Sequence, residues 1–231
     1  MPFTAADVMR RAAAILQDGS SVRWPLPELL NWLNDGMRDM ALLNPRTTAQ
    51  TEVMPLVEGT RQTLPPKFHQ LLEVIANDGP NPALHRAVTP IVKEIMDTQF
   101  PGWHSAAVMA FSPTVVHVCE DKFDARTFYV VPGNTGTGQI LIVGSVLPEP
   151  IPLPANPLAI ESYTAQVPVA DIYQSALLDF VLARAFSKDI NLAGAAQRAQ
   201  LHMQLFQGAI GANGQNQAAM TVDTPGSRFS N

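Results

Sequence analysis

"DIYQSALLDFVLARAFSKD", residues 171–189, is the stretch on which the reading of this chain turns. Set at 100° per residue, Asp171, Ser175 and Asp179 share one narrow edge, and Arg184 and Lys188 share another. Between those edges Ile172, Tyr173, Leu177, Leu178, Phe180, Val181, Leu182 and Phe186 point in almost every direction. A helix that is apolar nearly all round is buried on more than one side. The rest of the chain reads as too polar and too rich in proline to enclose it, so the expectation is that neighbouring copies help to cover it.

After "SKDIN", the stretch "LAGAAQRAQLHMQLFQGAIG" predicts a partner helix. Ala193, Gly194, Ala195, Ala196 and Ala199 are small enough for close backbone approach, and Leu201, Leu205, Phe206 and Ile210 add bulk further on. The two segments make a helical hairpin. Two helices are also predicted at the other end of the chain. In the first, Thr4 caps and Asp7 closes a capping box, with Ala5, Val8, Ala12, Ile15 and Leu16 on one face and Gly19 as the stop. The second carries Leu26, Leu29, Leu30, Leu33, Met37, Met40 and Ala41 at helical spacing, and Asn44-Pro45 ends it.

From Arg46 the pattern changes. "TEVMPLV", "TRQTL", "LLEVIA", "ALHRAV", "AAVMAFS", "VVHVC", "RTFYVV" and "QILIVGSV" read as short strands. One short helix is expected among them, capped by Thr89 with Pro90 in its first turn and Ile91, Val92, Ile95 and Met96 facing inward. "EGT" (58–60) and "GNTGTG" (133–138) read as hairpin loops, and "LPEPIPLPANP" (147–157) as a stiff extended connector. The expected fold class is therefore α+β: a discontinuous helical bundle of N-terminal helices plus a C-terminal helical hairpin, with a β-rich insertion. The expected boundaries are 1–45 and 169–211 for the helical domain, 46–168 for the insertion and 212–231 for an extended C-terminal tail. That tail is polar, does not order alone on composition, and is expected to be held by a neighbouring subunit.

Composition narrows the function. The 231 residues carry a formal net charge of −5, which argues against a protein that reads nucleic acid through a basic footprint. Charged residues are only 15% of the chain against 46% hydrophobic ones, a balance expected where neighbours cover much of the surface. No run of 18 uncharged apolar residues predicts a membrane span, and the first residues lack a signal-peptide layout. The single cysteine, Cys119, fits a reducing compartment.

No catalytic, cofactor-binding or metal constellation stands out. His69, His85, His104, His117 and His202 form no metal spacing. His117 and Cys119 fall on one face of a strand, which supplies two ligands where structural zinc needs four. A Cys-His nucleophile there lacks an orienting third group. "GNTGTG" has no Lys-Ser/Thr and no following helix, so it is a turn rather than a phosphate loop. Asp35 and Asp39, and Glu120 and Asp121, read as solvated or lumen-facing acids. Trp24, Trp32 and Trp103 are equally suited to core or interface.

Three stretches together resemble a known family: "WPLPELLNWLNDGMRDMALLNP", "LPPKFHQLLEVIAND" and "VPVADIYQSALLDFVLARAFSKDINLAGAAQRAQLHMQLFQGAIG". They are similar to the head–tail connector (adaptor) proteins of tailed bacteriophages, in order from Trp24 to about Gly211. The resemblance implies a non-enzymatic virion protein with no cofactor. It implies a homo-oligomeric ring, typically of twelve subunits, docked beneath the portal protein at the head–tail interface after assembly in the host cytoplasm. The ring would contact tail or nozzle proteins and let double-stranded DNA pass without specific binding; no membrane is involved. Asp171, Tyr173, Asp179, Arg184, Lys188, Trp24, Trp32, Arg228 and Phe229 are the interface candidates. Asp35 and Asp39 are the channel-facing ones, where acids would repel phosphate. The rival readings are another virion ring component, such as a tail nozzle or tail terminator, and a small hydrolase or metal protein built on His117 and Cys119.

Overall fold

The computed structural model describes residues 2–79, 85–189 and 193–221, with 212–221 given through their backbone alone. The fold is α+β, with helices at both ends of the chain and a strand-rich middle. Its two compact units are Met1–Thr47 with Pro148–Asn231, and Thr48–Leu147. The expected insertion ran to residue 168. The structure instead gives the proline-rich connector to the helical unit, because Ile151, Tyr163 and Val167 bury their side chains in that unit's core.

In the helical unit, α1 (Ala5–Leu16) begins at the expected capping box: the Asp7 amide donates to the Thr4 hydroxyl (3.3 Å) and the Thr4 amide to the Asp7 carboxylate (2.8 Å). It ends earlier than Gly19, at Gln17, which adopts the left-handed conformation (φ 56°). Asp18 then accepts the amides of Val22, Arg23 and Trp24 and fixes the link to α2 (Leu26–Leu43). The segment before α4 returns to the start of the chain. Thr4 bridges Gln166, the Val167 amide donates to the Phe3 carbonyl (3.0 Å), and the Tyr163 and Ala165 carbonyls take the first free amides of α1.

The helix that opened the question, α4 (Gln174–Lys188), packs against α1, α2 and α5 (Ala195–Thr221). Ala176, Leu177, Leu178, Phe180, Val181, Leu182, Ala183, Ala185 and Phe186 are all buried. Leu177, Leu178, Val181, Leu182, Ala185 and Phe186 face the core shared with α1 and α2, and Ala176 and Phe180 meet Met40, Phe206 and Ile210. This corrects the sequence expectation: three helices of its own unit enclose α4, and its apolar surface requires no neighbouring copy. Gly36 makes one approach possible, since a Cβ there would lie 2.9 Å from Phe180 Cδ1. On α5 only part of the expected face is covered. Ala195, Phe206 and Ile210 are buried, whereas Ala196, Leu201 and Leu205 are exposed, as is Ile15 on α1. The expected extended tail from residue 212 is also corrected, because the α5 backbone stays helical to Thr221.

The β unit holds two sheets. One has the order β1 (Ala49–Pro55), β7 (Gln139–Val146), β3 (Phe68–Asp78). The other runs β2 (Glu58–Thr63), β6 (Thr127–Thr135), β5 (His117–Glu120), β4 (Thr89–Pro90). All pairings are antiparallel except β4 with β5. Met54, Phe68, Leu71, Val74, Ile140 and Ile142 from the first sheet and Val118, Phe128 and Val130 from the second share one core. The Leu56 amide turns inward to the Gly138 carbonyl, so by alternation Pro55 faces the free edge of β1, where its missing N–H costs nothing.

Four local expectations are corrected here. "EGT" and "GNTGTG" are not hairpin loops: β1 and β2, like β6 and β7, lie in different sheets. "AAVMAFS" forms turns, with the Val108 and Met109 amides closing on the Ser105 carbonyl and the Ser105 hydroxyl accepting from Ala107. "ALHRAV" lies in part outside the described residues, and its described part forms no strand, meeting β3 through an isolated bridge, Ala76 to Ala87, and the Asn77 side-chain amide, which donates to the Arg86 carbonyl. Thr89 and Pro90 are strand, and the short helix α3 (Lys93–Gln99) starts later, with Met96 buried but Val92 and Ile95 exposed. Pairing of Thr89 with β5 satisfies its backbone before the helix can begin.

Candidate assembly surface

The polar edges of α4 find partners within the helical unit. His202 on α5 is 2.8 Å from Asp179 through Nδ1 and stacks on Phe186. Lys188 pairs with Glu28, and Arg184 lies 4.0 Å from Asp39 while its guanidinium covers the Phe180 ring. These charges were expected to reach across to another copy; each already has a partner in its own unit. Asp171 is exposed at the start of the short 3₁₀ turn that leads into α4.

The aromatic candidates divide. Trp24 is buried and its indole N–H donates to the Ala185 carbonyl at 3.2 Å. Tyr173 is buried with Met40, Phe206 and Ile210. Neither keeps an outward face, so both belong to the core. Trp32 is half-buried at the edge of the same core. Asp35 is exposed on α2, and Asp39 is half-buried beside Arg184. Arg228 and Phe229 lie outside the described residues.

In the β unit, Cys119 is wholly buried with Met96, Trp103 and Val131. Burial pushes its thiol up to about 11. A thiol held protonated in that way is a poor nucleophile at neutral pH. His117, on the same strand, instead lies 2.7 Å from the Thr89 hydroxyl through Nδ1. Around Cys119 the polar groups serve structure: Lys93 and the Trp103 indole both donate to Asp97, and the Tyr129 hydroxyl donates to Asp121. Among the described residues no three of His, Cys, Asp and Glu converge on a metal-sized site, and no helix is long and apolar enough to cross a membrane.

Other surface features escaped the sequence reading. Phe123 is fully exposed, at the tip of a turn held by Asp121, whose carboxylate accepts the Phe123 and Asp124 amides. Leu158 (87% exposed), Leu42, Leu43, Leu201 and Leu205 stand out on the helical unit. "DKFD", an aromatic between charges in a turn, was the one local signal available. A hollow of about 430 Å³ lies beside β5, walled by Pro90, Ile91, Val92 and Val118.

A family model described as SU10 adaptor protein matches residues 3–228, and the chain belongs to that family. Membership bears out the resemblance to phage head–tail adaptors and makes this a structural phage adaptor. No curated protein matches the chain.

Proposed function

We propose that this chain forms the adaptor ring between head and tail of a phage virion, docked under the portal and joined below to tail or nozzle proteins. The observation that carries the reading is the family match over residues 3–228. The burial of α4 lends it no support, since that helix is enclosed by its own unit. Contact between copies falls instead to exposed apolar groups such as Leu201, Leu205 and Leu158. A ring repeats one heterologous contact, so two different patches of each copy are used.

Such a ring lines the path of the leaving genome. Asp35 is the better of the two channel candidates, because Asp39 sits beside the compensating charge of Arg184. Carboxylates on that wall repel phosphate over about 8 Å at physiological salt. The polar C-terminal segment beyond Thr221 is assigned to contact with the portal or an adjacent subunit. Mass measurement of the purified chain with and without its cognate portal tests the reading. A ring-sized complex with portal is expected; a chain that stays monomeric and leaves the portal unbound would rule it out.

A further inference from the structure

Between Gln207 and Asn231 the only basic side chain is Arg228 and the only aromatic one is its neighbour Phe229. The rest of that stretch is small or polar, apart from Ile210, Met220 and Val222, and its one acid is Asp223. A long tether ending in one cation and one ring has the form of an anchor, which calls for an apolar hollow with an unmatched carboxylate.

The hollow beside β5 has that chemistry. Pro90, Ile91, Val92 and Val118 supply apolar walls. Four charged residues rim it, and three are already committed: Lys93 to Asp97, and Lys122 to Glu94. The fourth, Glu120, is exposed, and among the described residues its carboxylate has no partner. Two other hollows fit less well. In the one beside Trp24 the acid Asp18 is already engaged by the amides of Val22, Arg23 and Trp24, Asp189 is engaged by Arg23, and Arg198 adds a positive charge. The one beside Phe123 is mainly polar and lacks an apolar floor for a ring.

We infer that the C-terminal segment 222–231 of one copy docks in the β5 hollow of the adjacent copy, with Phe229 in the apolar cleft and Arg228 paired to Glu120. The inference rests on the ring reading only for the identity of the adjacent copy. Ten extended residues span on the order of 30 Å. The segment's composition, mostly small and polar, is that of segments that order on binding a partner.

The test uses the full-length chain with its own anchor disabled by Arg228→Glu and Phe229→Ala, titrated with a fluorescent peptide of residues 222–231. Saturable binding is expected. Glu120→Arg in the receptor should weaken it at least tenfold, and a peptide carrying Arg228→Glu should restore it to the Glu120→Arg receptor. Val92→Glu, at a second exposed wall position, should weaken it independently, and circular dichroism confirms that both receptors fold. Absence of saturation at millimolar peptide, equal binding to the Glu120→Arg receptor, or failure of the charge swap overturns the inference. Portal binding measured on the same wild-type chain reports on the ring reading separately.

Discussion

Phe180 Cδ1 stands 2.9 Å from the point where a Cβ on Gly36 would be, so α2 approaches α4 through the absence of a side chain. Phe180 is wholly buried and stacks edge-on with Phe206, so its ring has no free direction in which to retreat. Gly36→Ala gains helix propensity of about 1 kcal/mol but overpacks at a cost of about 1–3 kcal/mol. The net effect is destabilising, and Gly36→Val is worse because its branched side chain adds bulk at the same contact. Denaturant midpoints of the two variants check the order.

Trp24 predicts a graded pair. Trp24→Phe keeps most of the buried ring and loses the bond to the Ala185 carbonyl, at about 1 kcal/mol. Trp24→Ala removes the ring and costs about 3–5 kcal/mol. Chemical denaturation that gave equal losses would show that the indole N–H, not the packing, holds this corner.

The Cys119 thiol, raised by burial from 9.0 to about 11, predicts both reactivity and pH dependence. A thiol reagent should label the folded chain slowly at pH 8 and rapidly once denaturant is added. In the unfolded chain the thiol ionises near 9, while in the folded chain it stays protonated to about 11. The folded state therefore binds more protons across that window, and this contribution to stability falls as pH rises from about 9 to about 11. Cys119→Ser in the full-length chain removes that slope, and stability measured at pH 8 and pH 10.5 reads the difference.

At the start of α1, the amide and then the hydroxyl of Thr4 hold the Asp7 carboxyl below its usual 3.8. This is a depressed acid. Its contribution is present above 3.8 and is lost as pH falls through the lower folded value. Thr4→Ala should cost about 1 kcal/mol at neutral pH. Asp7→Asn should be less stable than the parent at pH 7, with the gap closing toward pH 2 in an acid titration.

Lys188 and Glu28, by contrast, form a partly exposed pair. Lys188→Ala should change stability by less than about 1 kcal/mol, and the loss should shrink in 1 M salt, where screening is stronger. A loss above that size, indifferent to salt, would mean that the aliphatic stem rather than the charge is what matters.

What could be read from the residues was mostly local. The Thr4–Asp7 box, the apolar rows of α2 and the hairpin of α4 with α5 are written within single segments, and the structure has them. Partnership between distant segments was not readable. β1 and β2 are neighbours in sequence but belong to different sheets, and no turn signal at Glu58–Thr60 distinguishes that from a hairpin. "AAVMAFS" has the composition of a strand, yet its amides close on the carbonyl and hydroxyl of Ser105 and bend it into turns. The misjudgement of α4 has the same origin: each apolar face of α1, α2 and α5 was visible, but not that all three close on one helix. Of the candidate surface, Tyr173 was read as an interface group and Trp24 as core or interface, and both are buried in the core; Phe123 and the hollow at β5 needed the folded chain to be seen.

The return of residues 163–167 to Phe3, Thr4 and the first turn of α1 has a consequence for synthesis. A ribosome finishes the β unit as one uninterrupted segment, which can collapse as it emerges. The helices made before it must wait for α4 and α5, roughly 10–30 s later at ordinary elongation rates. During that wait Leu29, Leu30, Leu33 and Met37 lack their cover, so a nascent chain released before residue 170 should be a client for holdase chaperones even where its β unit has collapsed.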